Sequence, residues 1–144
     1  MPSDSLSDEY VATLRRLFAR TPALALVKQG LESLEPGRAL ISLEPDERYF
    51  NGGGVIHGGV LATLLDSVGW FACATRSEGH WLFTAEFKVN YLEFVSRERV
   101  LATGEVLKKG GELFHVRMDA RADGGRHVAT ALATYTLMPR KFQA

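Results

Sequence analysis

Apolar and polar positions along this chain change period twice. Residues 7–20 place Tyr10, Val11, Leu14, Leu17 and Phe18 at helical spacing, which predicts an amphipathic helix with one face on a core. Ser5 or Ser7 is placed to cap it, and Asp8 and Glu9 suit its first turn. Residues 24–34 and 38–45 read as two strands joined by the turn signal Glu35-Pro36-Gly37. A Gly-rich loop over residues 46–56 leads into residues 58–74, which are apolar nearly all the way round. That pattern predicts a helix buried on most of its sides.

Beyond it the period falls from 3.6 to 2. In residues 83–91 the apolar side chains Phe83, Ala85, Phe87, Val89 and Tyr91 take every second place, which predicts one half-buried strand with all five on one face. Residues 98–108 and 112–122 flank Gly110-Gly111, and Asp123-Gly124-Gly125 leads into residues 126–138. These are two hairpins. The predicted order is helix, two strands, buried helix, four strands. One buried helix followed by an antiparallel meander is not a doubly wound arrangement. The simplest α+β solution is a curved antiparallel sheet wrapped around that central helix, with an extra N-terminal helix. No repeat, low-complexity tract or linker divides residues 1–144, so a single domain is expected.

Composition adds exclusions. The formal net charge is zero, so no overall field draws in nucleic acid or an anionic membrane. The one cysteine, Cys73, forms no intramolecular disulfide, and the N-terminus lacks a signal-peptide pattern, so a cytoplasmic location is expected. Residues 58–74 are too few, and too interrupted by Thr63, Asp66 and Ser67, to read as a membrane span. His80, His115 and His127 fall in no metal-ligand spacing, and no metal or other cofactor is expected. A Gly-x-Ser-x-Gly elbow is absent, and Gly52-Gly53-Gly54 lacks the Lys-Ser/Thr of a phosphate loop.

Asp66 is the anomaly. A lone carboxylate in a buried helix costs several kcal/mol unless it is paired, hydrogen-bonded or neutralised. Gly58 lies eight residues before it, where His57-Gly58-Gly59 opens the same helix. A helix N-terminus presents free backbone N–H groups and the positive end of the dipole, which favour negative oxygen. One helix thus carries a candidate oxyanion donor and a candidate nucleophile or base, the parts of an acyl-transfer site. Eight residues of helix rise about 12 Å, whereas an attacking oxygen needs to lie within about 3–3.5 Å of the carbonyl carbon. If both groups act together they come from two chains, which places the site at a two-fold interface.

Asn51-x-x-Gly54-x-x-His57-Gly58-Gly59, then Asp66, then Thr84 on the next strand, resembles the hotdog-fold thioesterases, most nearly the PaaI-like acyl-coenzyme A thioesterases. The similarity runs over about residues 20–138 and takes in Ala102-x-Gly104-x-Val106-x-Lys108-x-Gly110, with Lys109-Gly110 where Gly-Arg is common. The resemblance implies an acyl-coenzyme A thioester hydrolase whose subunits pair side by side, as dimers or tetramers, with coenzyme A arriving as part of the substrate. It implies Asp66 as nucleophile or general base, Gly58 as backbone oxyanion donor, and Asn51 and Thr84 as groups that position thioester or water. It implies His57 as a support for the loop and thioester rather than a proton carrier. Gly59, Lys88, Asn90 and Lys108 are expected at the substrate; Lys109, Arg117 and Arg121 are further cations able to meet coenzyme A phosphates.

Each residue also has a structural reading. Asn51 before Gly is a common turn pair, His57 is a helix cap, Thr84 is a strand former, and surface cations are most often solvated. Trp70, Phe71, Trp81 and Phe83 are either core or the walls of a flat acyl pocket, with core the simpler expectation. Two rival functions remain: a hotdog-fold acyl-coenzyme A hydratase or dehydratase, which needs a His–acid proton shuttle, and a non-catalytic acyl-coenzyme A-binding module, which has little use for a buried Asp.

Overall fold

The computed structural model describes residues 5–143. Helix α1 spans Asp8–Ala19, and Ser7 is its cap, its hydroxyl accepting from the Tyr10 N–H at 3.2 Å. Leu14 and Leu17 are its buried residues. Residues 24–26 are not strand but part of a short helix α2, Pro22–Leu26, and the strand begins only at Gln29. Pro22 sits at the start of α2, where its fixed φ and missing N–H suit a helix. The run Ala23-Leu24-Ala25-Leu26-Val27 is too short for its periodicity to tell helix from strand.

Strands β1 (Gln29–Glu35) and β2 (Arg38–Leu43) form the first hairpin. Its Gly37 has φ +74°, and its N–H donates to Thr75 Oγ1 at 2.8 Å, tying the turn to the end of the central helix. That helix, α3, spans Gly58–Ala74 as expected. Strands β3 (His80–Tyr91), β4 (Val100–Gly110), β5 (Leu113–Arg121) and β6 (His127–Lys141) complete one six-stranded antiparallel sheet in the order β1-β2-β4-β5-β6-β3.

The sheet wraps α3. Leu61, Leu64, Leu65, Val68 and Phe71 of the helix are buried with Ile41, Ala102, Phe114, Val116 and Met118 of the sheet. Gly104 lets the two backbones touch: a Cβ there would lie 2.5 Å from the Val68 carbonyl oxygen. Within the described residues no helix is long and apolar enough to cross a membrane.

Strand β3 lies at one edge of the sheet and pairs with β6. Here the unbroken alternation fails. The register slips between Thr84 and Glu86, so Thr84 faces Tyr135 while Glu86 faces Thr134. This bulge reverses the pleat. Before it Leu82 is buried and Phe83 is 51% exposed; after it Phe87 and Val89 pack on the core. Phe83 therefore points away from the helix, and Thr84 points toward it.

Candidate active site

Asp66 projects from the middle of α3, half-buried, and it is not a lone carboxylate. Thr84 Oγ1 donates to its Oδ1 at 2.8 Å, and the Tyr135 hydroxyl donates to the same oxygen at 2.9 Å. The Tyr135 hydroxyl is shared, lying 2.9 Å from the Asp66 backbone carbonyl as well. No described residue donates to Oδ2. One carboxylate oxygen is clamped and the other is available.

Tyr135 was not among the residues singled out in the sequence. It is fully buried, and its hydroxyl is held well above the usual tyrosine range, first by burial and then by the neighbouring Asp66 charge and hydrogen bond. It therefore stays a protonated donor. Gly69 makes room for it: a Cβ at Gly69 would lie 2.5 Å from the Tyr135 hydroxyl. A signal did exist. Ala129, Ala131 and Ala133 line the inner face of β6 at period 2, and Tyr135 continues that row with a large side chain whose hydroxyl needs a buried partner.

The other end of the site is the loop entering α3. Asn51 braces it as a turn residue. Its backbone N–H donates to the Val55 carbonyl at 2.8 Å, and its Oδ1 accepts from the N–H groups of Gly53 at 2.8 Å and Val55 at 3.4 Å. The Nδ2 end of the amide stays exposed, with no acceptor among the described residues. His57 caps α3, Nδ1 accepting from the Gly59 N–H at 2.9 Å. That bond engages the Gly59 amide and leaves the Gly58 N–H without an acceptor among the described residues. The Tyr91 hydroxyl donates to the Gly58 carbonyl at 2.7 Å, and its ring would lie 3.1 Å from any Cβ at position 58. The absent side chain thus lets the Tyr91 ring pack against the backbone at the helix entry. Burial holds the Tyr91 hydroxyl above the usual range, so it too remains a donor.

Lys88, Asn90 and Lys108 do not line the openings beside Asp66 within one chain. Lys88 and Asn90 lie on the exposed face of β3 beyond the bulge, opposite Leu132 and Thr130. Lys108 is exposed on β4 and lines a separate cleft of about 590 Å³ with Arg76, Glu78 and Lys109. Lys109 Nζ donates to the Arg76 carbonyl at 3.1 Å, Arg117 pairs with Glu105 at 2.9 Å, and Arg121 donates to the Gly125 carbonyl at 3.1 Å. Two openings do meet at Asp66. One, about 260 Å³, is lined by Ala62, Thr63, Thr84 and Phe87. The other, about 320 Å³, runs beneath α2 and is walled by Trp70, Phe71 and Trp81. Phe83, on the opposite face, takes no part in it. The described residues contain no group of three or more His, Cys, Asp or Glu able to hold a metal ion.

Similarity to known proteins identifies the family and the fold. A sequence model described as the thioesterase superfamily matches residues 53–129. Human acyl-coenzyme A thioesterase 13 is 28% identical over 102 residues, covering 70% of this chain and 73% of that protein. The crystal structure of a thioesterase family protein from Silicibacter pomeroyi is 32% identical with a TM-score of 0.83, covering 90% of this chain and 98% of its own. The E. coli PaaI protein is 17% identical, a level that speaks to fold alone, with a TM-score of 0.89 over 96% of this chain and 100% of its own. With the family model spanning more than half of its length, the chain is a thioester hydrolase of the hotdog-fold thioesterase superfamily.

Proposed function

We propose that this thioesterase hydrolyses acyl-coenzyme A to a free acid and coenzyme A, in a site shared by two copies of the chain. The observation that carries this reading is the asymmetry of Asp66: Oδ1 is held by Thr84 and Tyr135, and Oδ2 takes no donor from the described residues. A carboxylate fixed through one oxygen presents the other in a defined direction, which is what a positioned base or nucleophile requires.

In the proposed mechanism the Gly58 N–H, at the positive end of α3, and the Asn51 Nδ2 amide donate to the thioester carbonyl oxygen as it gains negative charge. Asp66 Oδ2 acts on the carbonyl carbon by one of two routes. As a base it takes a proton from water while the water oxygen bonds to carbon; the C–S bond then breaks, and the departing thiolate receives that proton. As a nucleophile it bonds to the carbonyl carbon directly, expelling the thiolate, and water then cleaves the resulting anhydride. Both routes need Thr84 and Tyr135 to keep Oδ1 occupied.

Gly58 and Asp66 belong to one continuous helix, so their separation is about 12 Å. That supports a homodimer in which Asp66 of one chain faces Gly58 and Asn51 of its partner. Strand β3, the edge beside Thr84, is the proposed pairing element, since a twelve-residue edge invites a partner. The hydratase alternative is disfavoured because His57 Nδ1 is engaged as the helix cap. Thiol release over a panel of acyl-coenzyme A substrates tests the function; no turnover of any of them would reject it.

A further inference from the structure

We propose that the 320 Å³ chamber between α2 and the central helix is the acyl pocket, and that it takes an uncharged apolar acyl group the size of an aryl ring with a short linker, or an aliphatic chain of equal bulk. This rests on the thioesterase reading above and supplies its substrate class. Asp66 is the chamber's one charged lining residue, and in the proposed pose a thioester carbonyl presented to Oδ2 directs its acyl substituent inward.

The walls look more polar in sequence than they are. Three hydroxyl residues line the chamber, and each donates to a carbonyl one helical turn back: Thr21 to Leu17 at 2.7 Å, Thr63 to Gly59 at 2.9 Å, Ser67 to Thr63 at 2.8 Å. The Trp70 indole N–H donates to the Leu82 carbonyl at 2.8 Å. Those protons are unavailable to a ligand, and apart from Asp66 and the hydroxyl oxygens the walls are methyl, methylene and ring. Trp70 meets Phe71 edge-on at 5.0 Å between centroids and Trp81 at 5.9 Å, so the aromatic wall is braced.

Size sets the upper limit. A cavity of about 150 Å³ accepts one benzene, and this chamber is roughly twice that. Helix α2 forms the roof through Ala23 and Leu24, with Ala23 exposed at the rim and Leu24 buried. A short helix held by few contacts, rather than the sheet, therefore determines how long an acyl group fits.

Two measurements test this. Trp70 and Trp81 are the only tryptophans in the chain, so intrinsic fluorescence reports the chamber without requiring turnover. Titration with the non-hydrolysable thioether S-octyl-coenzyme A is expected to give a saturable change that free coenzyme A does not. No saturable change, or the same change with both, overturns the proposal. For turnover, kcat/KM should climb roughly fourfold per methylene from acetyl toward octanoyl, the equivalent of about 0.8 kcal/mol each, and drop for palmitoyl. Ala23→Phe, which fills the roof, should lower the octanoyl-to-acetyl ratio of kcat/KM by about tenfold or more; an unchanged ratio overturns the assignment. A fluorescence response without hydrolysis of any thioester would reject the proposed function and leave the pocket standing.

Discussion

The Tyr135 hydroxyl lies 2.9 Å from both the backbone carbonyl oxygen and the Oδ1 of Asp66, binding a strand of the sheet to the central helix at the one charged position in that helix's body. Together with Thr84 it determines which carboxylate oxygen is engaged and which is left without a donor among the described residues.

Replacing Asp66 by Asn should lower kcat by at least about a hundredfold, the scale of a lost positioned base, with far-UV circular dichroism unchanged. Activity within a few-fold of wild type would remove Asp66 from the mechanism. A single turnover in H₂¹⁸O tests direct attack: label in the Asp66 side chain, detectable by peptide mass, requires an anhydride cleaved at the Asp carbonyl, whereas the base route puts label in the acid product alone.

Tyr135→Phe removes one donor from Oδ1 without removing the ring. We expect kcat to fall about tenfold, the size of a hydrogen bond to a charged group, while KM moves little. Thr84→Val should act the same way, and Thr84→Ser, which keeps the hydroxyl, should retain most activity. Equal losses in Val and Ser variants would show that Thr84 matters only through packing.

Tyr135 also predicts a pH dependence of stability. Its hydroxyl ionises at higher pH in the folded chain than the ordinary value of 10.0. The stability it contributes is therefore complete below pH 10 and is lost as pH rises toward the folded value. The Tm difference between wild type and Tyr135→Phe should stay constant from neutral pH to about 10 and narrow above it. A difference that narrows on acidification instead would contradict the buried neutral hydroxyl.

Subunit mixing tests the shared site. Asp66→Asn and Gly58→Pro, each inactive alone, should regain part of wild-type hydrolysis after exchange, because the heterodimer holds one site with both groups intact. Demonstrated heterodimers of folded variants with no recovered activity would rule out the two-chain arrangement.

Cys73 is fully buried, and burial pushes its thiol far above the usual range. The native protein should react with Ellman's reagent orders of magnitude more slowly than the urea-unfolded chain. Rapid native labelling would mean that α3 opens readily.

Local features made much of this legible in sequence. The bounds of α3 follow from His57, Gly58-Gly59 and an apolar run of 3.6 period, all of which act within a few residues. The hairpins follow from turn glycines and period-2 runs. Asn51 and Thr84 stand out beside Gly58 and Asp66 only through the resemblance to a known family; their spacing alone reads as a turn residue and a strand former. Residues 24–26, expected as strand, are helix because so short an apolar run carries too little periodicity, and packing of Leu24 settles the matter.

What tertiary structure alone decided is the company that Asp66 keeps. Thr84 reaches it because a bulge reverses the pleat of β3, and strand periodicity read in sequence assumes no bulge. Tyr135 reaches it from 69 residues away, through a gap left by Gly69 and a strand pairing that no local pattern encodes. Sequence thus determined that a carboxylate stands in a buried helix, since periodicity and capping are short-range. Which hydroxyls hold it, and which of its oxygens is left without a donor, depends on sheet register and backbone approach, and those exist only once the sheet has closed around the helix.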